Sequence, residues 1–393
     1  MVEWKKIEDF GSYFGGLSGK TKEDFVEGNA KFVTYMNVFS NPSLDIKSTG
    51  VVRINEGEKQ NKIQKGDILF TGSSETPEEA GMSCVVTDDL NEDFYMNSFC
   101  FGIRLDKPEQ YNLGFLKHIL RSNNVRKDIT KSASGVTRFN ISKARFGKIL
   151  IPIPSLEEQQ RIVGILDTFT ACIDNLKEQI AQRRKQYEYY RDQLLDLEGK
   201  EDKDIHLWGE FCEMIKGNGV QKVDFVDEGF GCIHYGQIYT HYGPFTYTTN
   251  KFVPKEVFDK ARKASKGDII MTDTSENVED ICKSVAWLGE GDIAVSNHAL
   301  IIKHKQNPKF LSFSTQTNDF FIQKRKVVVG VKVSGIKPEH LAQIKIYLPS
   351  LEEQSRIVGI LDTFEASIQN LEAQLKEREK QYEYYRNKLL TFE

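Results

Sequence analysis

The segment PSLEEQQRIVGILDTF at Pro154–Phe169 decides the architecture of this 393-residue chain, because it recurs as PSLEEQSRIVGILDTF at Pro349–Phe364. The repeat continues in both copies through the string KQYEYYR. Over the 43 aligned positions of 154–196 and 349–391, 30 residues are identical. Self-similarity of this length indicates an internal duplication with an offset of 195 residues in its helical part.

Each copy carries apolar residues at alternating spacings of four and three, the heptad pattern of a coiled-coil helix. The predicted seam residues are Ile162, Leu166, Phe169, Ile173, Leu176 and Ile180 in the first copy, and Ile357, Leu361, Phe364, Ile368, Leu371 and Leu375 in the second. A capping box starts each helix, with Ser155 and Ser350 as the first residues of the two boxes. Arg183 and Arg378 occupy matching seam positions, and we interpret them as polar layers that set the register.

The simplest arrangement pairs the two predicted helices with each other. A short linker at 199–204 lets the second globule begin directly after the first helix, which favours antiparallel pairing. Parallel homodimerisation of each helix is the alternative.

The regions before the helices are predicted to be globular and related to each other. Lys65-Gly-Asp-Ile reappears as Lys266-Gly-Asp-Ile, short apolar runs bounded by Gly, Asp or Ser predict strands, and Leu113–Leu120 predicts an amphipathic helix. We therefore predict an α+β fold with two mixed α/β domains, two long helices forming an antiparallel coiled coil, and pseudo-twofold internal symmetry. The predicted boundaries are 1–153 for the first domain, 154–200 for the first helix, 201–348 for the second domain and 349–393 for the second helix.

Composition excludes several classes of protein. Hydrophobic residues make up 39% and charged residues 28% of the chain, which is typical of a globular protein. The six cysteines include no CxxC pair, so neither a disulfide framework nor a zinc site is expected. No apolar leader and no 18-residue apolar stretch occurs, and we therefore expect a cytoplasmic protein with no membrane partner.

The net charge of −4 is the sum of acidic and basic segments that follow each other in the same order in both halves of the chain. Residues 1–103 have a balance of −7 and residues 104–153 one of +8; in the second half, residues 204–302 have −6 and residues 303–348 have +7. A basic block thus precedes each helix, as expected of a surface that binds a phosphate backbone. A solvated face that balances the acidic part is the alternative. The blocks contain Arg121, Arg126, Lys127, Lys131, Arg138, Lys143 and Arg145, and then Lys303, Lys305, Lys324, Arg325, Lys326 and Lys332.

Polar residues suited to base edges lie at matching positions of the two halves. Asn and Gln can bond bidentately to adenine, and Ser, Thr and His can contact several bases. An ordinary role in turns and strand ends is the alternative for each of them. The candidate DNA-binding residues are Lys20, Lys22, Asn37, Ser73, Ser74, Arg138 and Lys143 in the first half, and Lys222, Gln237, Tyr239, His241, Tyr242, Thr274, Ser275, Lys324 and Arg325 in the second.

Motifs for catalysis are incomplete. The string GGLSGKT at Gly15–Thr21 resembles a phosphate-binding loop, but Phe14 stands where that loop requires a glycine. We therefore predict no catalytic residues, no metal site and no cofactor bound by this chain. A structural adaptor, in which a coiled coil tethers two peptide-binding globules, explains the duplication but not the twin basic blocks.

The paired segments Pro152–Leu195 and Pro349–Leu390 resemble the spacer helices of specificity subunits of type I restriction–modification systems. The globules resemble the target-recognition domains of that family. One departure is that Pro152-Ile-Pro154 is Tyr347-Leu-Pro349 in the second copy. The resemblance implies a non-catalytic subunit that binds a bipartite, asymmetric target in double-stranded DNA. It also implies docking of two methyltransferase subunits, which carry S-adenosylmethionine, and through them of restriction (translocase) subunits.

Overall fold

A computed structural model describes residues 2–330 and 334–392, which divide into two compact units. Unit 1 comprises Met1–Lys177 and Gln374–Glu393, and unit 2 comprises Glu178–Ala373. Each unit therefore contains one globular domain and a part of each long helix. The domain boundaries expected from the sequence instead separate globules from helices, and they stay a prediction.

Helices and strands occur together throughout unit 1, in agreement with the predicted α+β class. In chain order they are β1 (Glu3–Lys6), β2 (Gly11–Gly15), β3 (Ala30–Val33), α1 (Tyr35–Ser40), β4 (Gly50–Val52), β5 (Ile68–Thr71), β6 (Ser73–Ser74), β7 (Ser83–Val85), β8 (Phe94–Met96), β9 (Cys100–Leu105), α2 (Leu113–Ile119), α3 (Asn123–Ser132), β10 (Ala133–Ser134), β11 (Phe139–Ile141), α4 (Lys143–Phe146), β12 (Leu150–Ile153) and the start of the long helix α5 (Leu156–Leu195).

The central sheet of unit 1 is antiparallel with the order β2–β9–β5–β7. Successive side chains of β5 point to opposite faces, as a strand requires. Ile68 and Phe70 join the core that contains Phe115, whereas Leu69 joins a second core with Val33. A small sheet of order β10–β11–β6 lies at the end of β5, and it positions the candidate site.

Unit 2 repeats this plan. Its elements are β13 (Ile205–Leu207), α6 (Trp208–Phe211), β14 (Cys212–Lys216), β15 (Phe230–Ile233), α7 (Tyr235–Thr240), β16 (Phe245–Thr246), β17 (Lys251–Val253), α8 (Lys255–Lys260), β18 (Lys263–Ala264), β19 (Ile269–Thr272), β20 (Thr274–Ser275), β21 (Ser284–Trp287), β22 (Ile293–Val295), β23 (Ala299–His304), α9 (Pro308–Ser314), α10 (Asn318–Val327), β24 (Ser334–Gly335), α11 (Pro338–Leu341), β25 (Lys345–Tyr347) and the start of α12 (Leu351–Leu389). The central sheet has the order β14–β23–β19–β21–β16, so its first four strands match the sheet of unit 1.

A buried glutamine attaches each long helix to its globule in the same way. Gln159 of α5 is fully buried; its Oε1 accepts the backbone N–H of Asn112 at 2.8 Å, and its Nε2 donates to the carbonyl of Pro154 at 2.9 Å. Gln354 of α12 accepts the N–H of Asn307 at 3.0 Å and makes the matching bond to its own proline carbonyl. The repeated sequence thus produces a repeated attachment.

The long helices pair in opposite directions within each unit. In unit 1 the rings of Phe169 and Tyr385 stack at 5.3 Å, and in unit 2 the rings of Tyr190 and Phe364 stack at 5.5 Å. The two stacks are equivalent in the repeat, because Phe364 and Tyr385 are the counterparts of Phe169 and Tyr190 at an offset of 195 residues. The expected antiparallel coiled coil with pseudo-twofold repeat is confirmed.

Predicted seam positions differ in burial. Ile162, Leu166, Ile173, Leu176, Ile180, Ile357 and Leu361 are buried, whereas Phe169, Phe364, Ile368, Leu371 and Leu375 are half-buried. The guanidinium of Arg183 lies 5.9 Å from the ring centre of Phe364, and that of Arg378 lies 5.7 Å from Phe169. Each arginine therefore covers an aromatic ring of the opposite helix.

Among residues 2–330 and 334–392, no helix is both long enough and apolar enough to cross a membrane.

Candidate nucleic-acid interface

Unit 1 presents a small polar and aromatic surface where β6 pairs with β11. Ser73 and Ser74 form β6 and are 6% exposed, so their backbone rather than their hydroxyl groups defines this edge. The hydroxyl of Tyr35 donates to the carbonyl of Ser73 at 2.7 Å. The guanidinium of Arg138 lies 5.3 Å from the ring centre of Phe99, which is 55% exposed. We call Tyr35, Ser73, Phe99 and Arg138 the unit 1 face.

The turn between β8 and β9 holds Phe99 in place. Its N–H donates to Oδ1 of Asn97 at 2.9 Å, and its carbonyl accepts the N–H of Gly72 at 2.8 Å. A Cβ at Gly72 would lie 2.8 Å from that carbonyl oxygen, so a side chain there would force the turn to shift. An exposed aromatic ring on a bonded turn is a surface suited to stacking or to apolar contact with a ligand.

The matching surface of unit 2 has different chemistry. His298 lies where unit 1 has Phe99, and its φ of 64° is uncommon for a residue with a side chain. Its Nδ1 is 3.3 Å from Oγ1 of Thr274, whose hydroxyl is also 2.9 Å from Oδ1 of Asp273. The imidazole lies 5.4 Å from the ring of Tyr235. We call Tyr235, Tyr239, Thr274 and His298 the unit 2 face.

Two further contacts support the unit 2 face. The hydroxyl of Tyr239 donates to the carbonyl of Thr274, and burial raises the pKa of this phenol. The ammonium of Lys216 is 3.2 Å from the carboxylate of Asp273, and Ser275 next to Thr274 is 8% exposed. Asp273 occupies the position of Gly72, so the same backbone carries a carboxylate in one unit and no side chain in the other.

Two predicted base-contacting amides are bonded inside their own units. Asn37 is 3% exposed, and its Nδ2 donates to the carbonyl oxygens of Asp45 at 2.8 Å and Ser48 at 2.7 Å. Oε1 of Gln237 accepts the N–H of His234 at 2.8 Å at the start of α7. Base contact by these amides stays a prediction, and we leave them out of both faces because these polar atoms already have partners.

Part of each basic block also has internal partners. Arg126 of the first block donates to the carbonyl of Gly81 at 2.6 Å, and Lys324 of the second, which is 4% exposed, donates to the carbonyl of Ile281 at 2.7 Å. Lys20, a candidate outside the blocks, donates to the carboxylate of Glu58 at 2.6 Å. Burial lowers the pKa of the Arg121 guanidinium to about 10. Charge counted along the sequence therefore overstates the charge that these blocks can offer to phosphate groups.

Other candidate residues face solvent. The exposed candidates are Lys22, Arg138, Lys143, Lys222, His241 and Arg325, whereas Tyr242 is half-buried and bonds Asn250. Lys332 lies outside the described residues.

Sequence reasoning missed Phe99, His298, Tyr35 and Tyr235. Their signal was available: each pair occupies the same place in the repeat, at a strand end or a helix start, and Phe99 and His298 differ in chemistry. Within the described residues no group of His, Cys, Asp and Glu is arranged to hold a metal ion. Burial raises the pKa of the Cys84 and Cys282 thiols to about 12, so neither is a ready nucleophile at neutral pH.

The two faces and paired helices define a duplicated two-domain protein, and comparison with known proteins gives its family. The family model described as the type I restriction modification DNA specificity domain matches residues 1–183 and again 209–379. The chain belongs to this family.

Relatives and solved structures agree with the family. The chain is 29% identical over 305 residues to S.HindORF215P of Haemophilus influenzae, whose name gives it as a type I restriction enzyme specificity subunit; the match covers 72% of this chain and 73% of that one. It is 29% identical over 266 residues to the EcoR124I/EcoR124II specificity subunit of Escherichia coli, covering 62% and 63%. The fold is similar to the S subunit of a type I system from M. genitalium, with a TM-score of 0.54, 15% identity and coverage of 100% and 97%. It is also similar to a chain from a structure of type I R-M complex assembly, with a TM-score of 0.63, 17% identity and coverage of 99% and 97%.

Proposed function

We propose that this chain is the non-catalytic specificity subunit of a type I restriction–modification complex, in which each domain reads one half of a bipartite, asymmetric DNA target. The observation that carries the proposal is the pair of faces. Phe99 and His298 occupy one backbone position of the repeat, as do Gly72 and Asp273, yet their chemistry differs. One fold with two sets of side chains suits two different half-sites.

The chemistry of each face suggests how it reads DNA. Arg138 can donate to O6 and N7 of guanine or to a phosphate, and the ring of Phe99 can contact a thymine methyl group or an unstacked base. In unit 2, Thr274 and His298 can donate to and accept from base edges. Exposed cations such as Lys143 and Arg325 would contribute phosphate contacts that weaken as salt rises.

The long helices are proposed to dock two methyltransferase subunits. Tyr189 and Tyr384 occupy the same place in the repeat, and they are 58% and 60% exposed. Each makes an edge-to-face contact of 5.3 Å with the following tyrosine. Exposed aromatic pairs are favourable anchors for a partner protein, and two copies of one surface suit two copies of one partner.

The remaining parts of the complex follow from that docking. S-adenosylmethionine would bind in the methyltransferase subunits, and restriction (translocase) subunits would join through them. The helices would also fix the length of unread DNA between the half-sites, in the way that protein spacing sets half-site spacing in other DNA-binding proteins.

The test is a methylation assay on the complex formed with the methyltransferase. One variant carries Phe99→Ala together with Arg138→Ala in the first domain, and the other carries His298→Ala in the second domain. DNA substrates carry base changes in one half-site at a time. We expect Phe99→Ala with Arg138→Ala to lose discrimination about tenfold or more in one half only, because a lost bidentate contact of arginine is worth about 1–3 kcal/mol. His298→Ala should lose less, and only in the other half.

A matched control is Val136→Ala, since Val136 is 91% exposed beside Arg138. Loss of discrimination in both halves by either variant would contradict the proposal. Unchanged DNA recognition together with binding of a peptide ligand would favour the structural adaptor instead.

A further inference from the structure

Unit 1 buries an arginine in a cage of backbone carbonyl oxygens. Nη2 of Arg121 lies within hydrogen-bond distance of four carbonyl oxygens, those of Val38, Phe39 and Asn41 at 3.0 Å and that of Ser83 at 2.6 Å. Nε donates to the carbonyl of Ser83 at 2.8 Å. Carbonyl oxygens at the end of a helix have no intrahelical donor, so a cation there is favourable. The guanidinium therefore joins the end of α1 to β7.

Unit 2 has no arginine at the repeat position of Arg121. Gln316 stands at the position of Arg121, because α2–α3 and α9–α10 match at an offset of 195. A cavity of about 630 Å³ opens there, and its lining includes Ile238, Tyr239, Ser284 and Gln316. Ile238, Tyr239 and Ser284 are the repeat counterparts of Val38, Phe39 and Ser83, three of the four residues whose carbonyls Arg121 caps.

Within the described residues, the acceptors of this cage remain available. The last turn of α7 leaves carbonyl oxygens without intrahelical donors, and the carbonyl of Ser284 has a contact of 3.5 Å from the Ser312 hydroxyl, at the limit for a hydrogen bond. Glu188 and Asp192 of α5 add carboxylates to the wall, Asp192 being paired with Arg191 at 2.6 Å. Lys283 also lines the cavity, and its ammonium is 2.7 Å from the carboxylate of Asp280. The carbonyl oxygens and the carboxylate of Glu188 are therefore the acceptors that the site offers to a planar cation.

The buried ammonium of Lys324 lies beside the cavity, and it is compatible with a second cation inside the cavity. Lys324 bonds the carbonyls of Glu279 and Ile281 beside the cavity. Unit 1 has the same pairing, because Arg126 bonds the matching loop at Gly81 while Arg121 fills its cage.

We infer that the cavity of unit 2 is a binding site for a guanidinium group, which would make there the contacts that Arg121 makes in unit 1. Its volume exceeds that of one guanidinium and lies in the range of ligand pockets. The group can therefore belong to a free alkylguanidinium compound or to an arginine side chain of a docked partner protein.

Binding of N-propylguanidinium to the full chain, measured by calorimetry, tests this inference, with propylammonium as the matched cation. We expect a Kd of roughly 0.1–1 mM for N-propylguanidinium, as befits so small a ligand, and at least tenfold weaker binding of propylammonium. Gln316→Arg should weaken N-propylguanidinium binding at least about tenfold, because its own guanidinium fills the cage. Gln316→Glu should tighten it about threefold, and Gln182→Arg on the exposed side of α5 should leave it unchanged.

Absence of saturable binding to the unaltered chain would overturn the inference, and so would equal binding to Gln316→Arg. If Gln316→Arg does not fold, unchanged or weaker binding to Gln316→Glu has the same consequence. A second arm, which rests on the proposed function, compares assembly with the methyltransferase. Weakened assembly of Gln316→Arg identifies a partner arginine as the source, and unchanged assembly identifies a free compound; neither outcome bears on the DNA-reading proposal.

Discussion

Units 1 and 2 keep the same framework and differ where the framework meets solvent. Gln159 and Gln354 make matching hydrogen bonds, and the aromatic stacks between the long helices also match. The faces differ instead, with Phe99 in one and His298 in the other. A duplicated chain can therefore hold its scaffold constant while its two surfaces diverge in chemistry.

A second difference lies inside the units. The loop that follows β6 has Gly81 with φ of 65°, and the loop after β20 has Cys282 with φ of 64° at the same place. A Cβ at Gly81 would lie 2.6 Å from Cγ2 of Ile129, whereas unit 2 has Lys324 at the position of Ile129. Internal packing has thus changed in compensating steps while the backbone stayed the same.

The largest expected effect comes from lengthening the framework. Four residues inserted in α5 near Leu176 add about 6 Å of helix, which is roughly two base pairs of DNA. We expect the unread gap in the methylated target to lengthen while both half-sequences stay unchanged. Methylation mapping measures this, and four residues inserted in the linker at Gly199 are the control, because they lengthen no helix. A changed half-sequence would count against the helices as the spacer.

Removing one buried glutamine should destabilise only its own unit. Gln159→Leu leaves the N–H of Asn112 and the carbonyl of Pro154 without these partners, and we expect a loss of about 2–4 kcal/mol in the free energy of unfolding. Gln354→Leu should cost a similar amount in unit 2. Denaturant unfolding with amide exchange measures both, and Glu157→Gln, an exposed change on the same turn, is the control. Very different losses of unfolding free energy in the two units would contradict the claim that the two glutamines attach the helices in the same way.

The loops of Gly81 and Cys282 should respond in opposite ways. Gly81→Ala places a Cβ at positive φ against Ile129, and we expect a loss of about 2–3 kcal/mol. Cys282→Gly relieves backbone strain but removes a buried thiol, and we expect a net change within about 1 kcal/mol. Thermal unfolding of the two variants measures the difference. Equal losses would show that the two loops have not diverged in packing.

We expect a smaller effect from acid, which should lower the stability of unit 1 through His118. Nε2 of His118 bonds Asp167 at 2.7 Å, and Nδ1 is 3.1 Å from the hydroxyl of Tyr382, with Lys117 and Arg386 as charged neighbours. Burial lowers the pKa of His118 below its ordinary value of 6.5. The unfolded chain therefore takes up the proton first, so the stability that this group contributes is present above pH 6.5 and is lost as pH falls below it.

Replacement by the residue of unit 2 tests that contribution. Phe313 stands at the position of His118, so His118→Phe should flatten the fall of the unfolding temperature between pH 7.5 and 5.5. Thermal unfolding across this range measures the slope. An unchanged slope in His118→Phe would show that His118 does not carry the effect.

The sequence alone predicts the framework well because periodicity and duplication are local signals. The heptads of α5 and α12 and the offset of 195 are readable without any tertiary contact. The faces were predicted only in part. Ser73, Arg138, Tyr239 and Thr274 were among the candidates, but Phe99 joins Ser73 and Arg138 only when β6 pairs with β11 beside the turn that precedes β9. Arg121 and Lys324 were counted with the basic surface for a related reason: a long cationic side chain that caps buried carbonyls looks the same in sequence as one that faces solvent.

The most direct test of the whole account exchanges residues 1–150 for the corresponding domain of another specificity subunit and maps the adenines that the assembled methyltransferase modifies. We predict that one half of the recognised sequence changes completely, while the other half and the unread gap stay as they were. A change in both halves, or in neither, would contradict the claim that each unit reads its own part of the target.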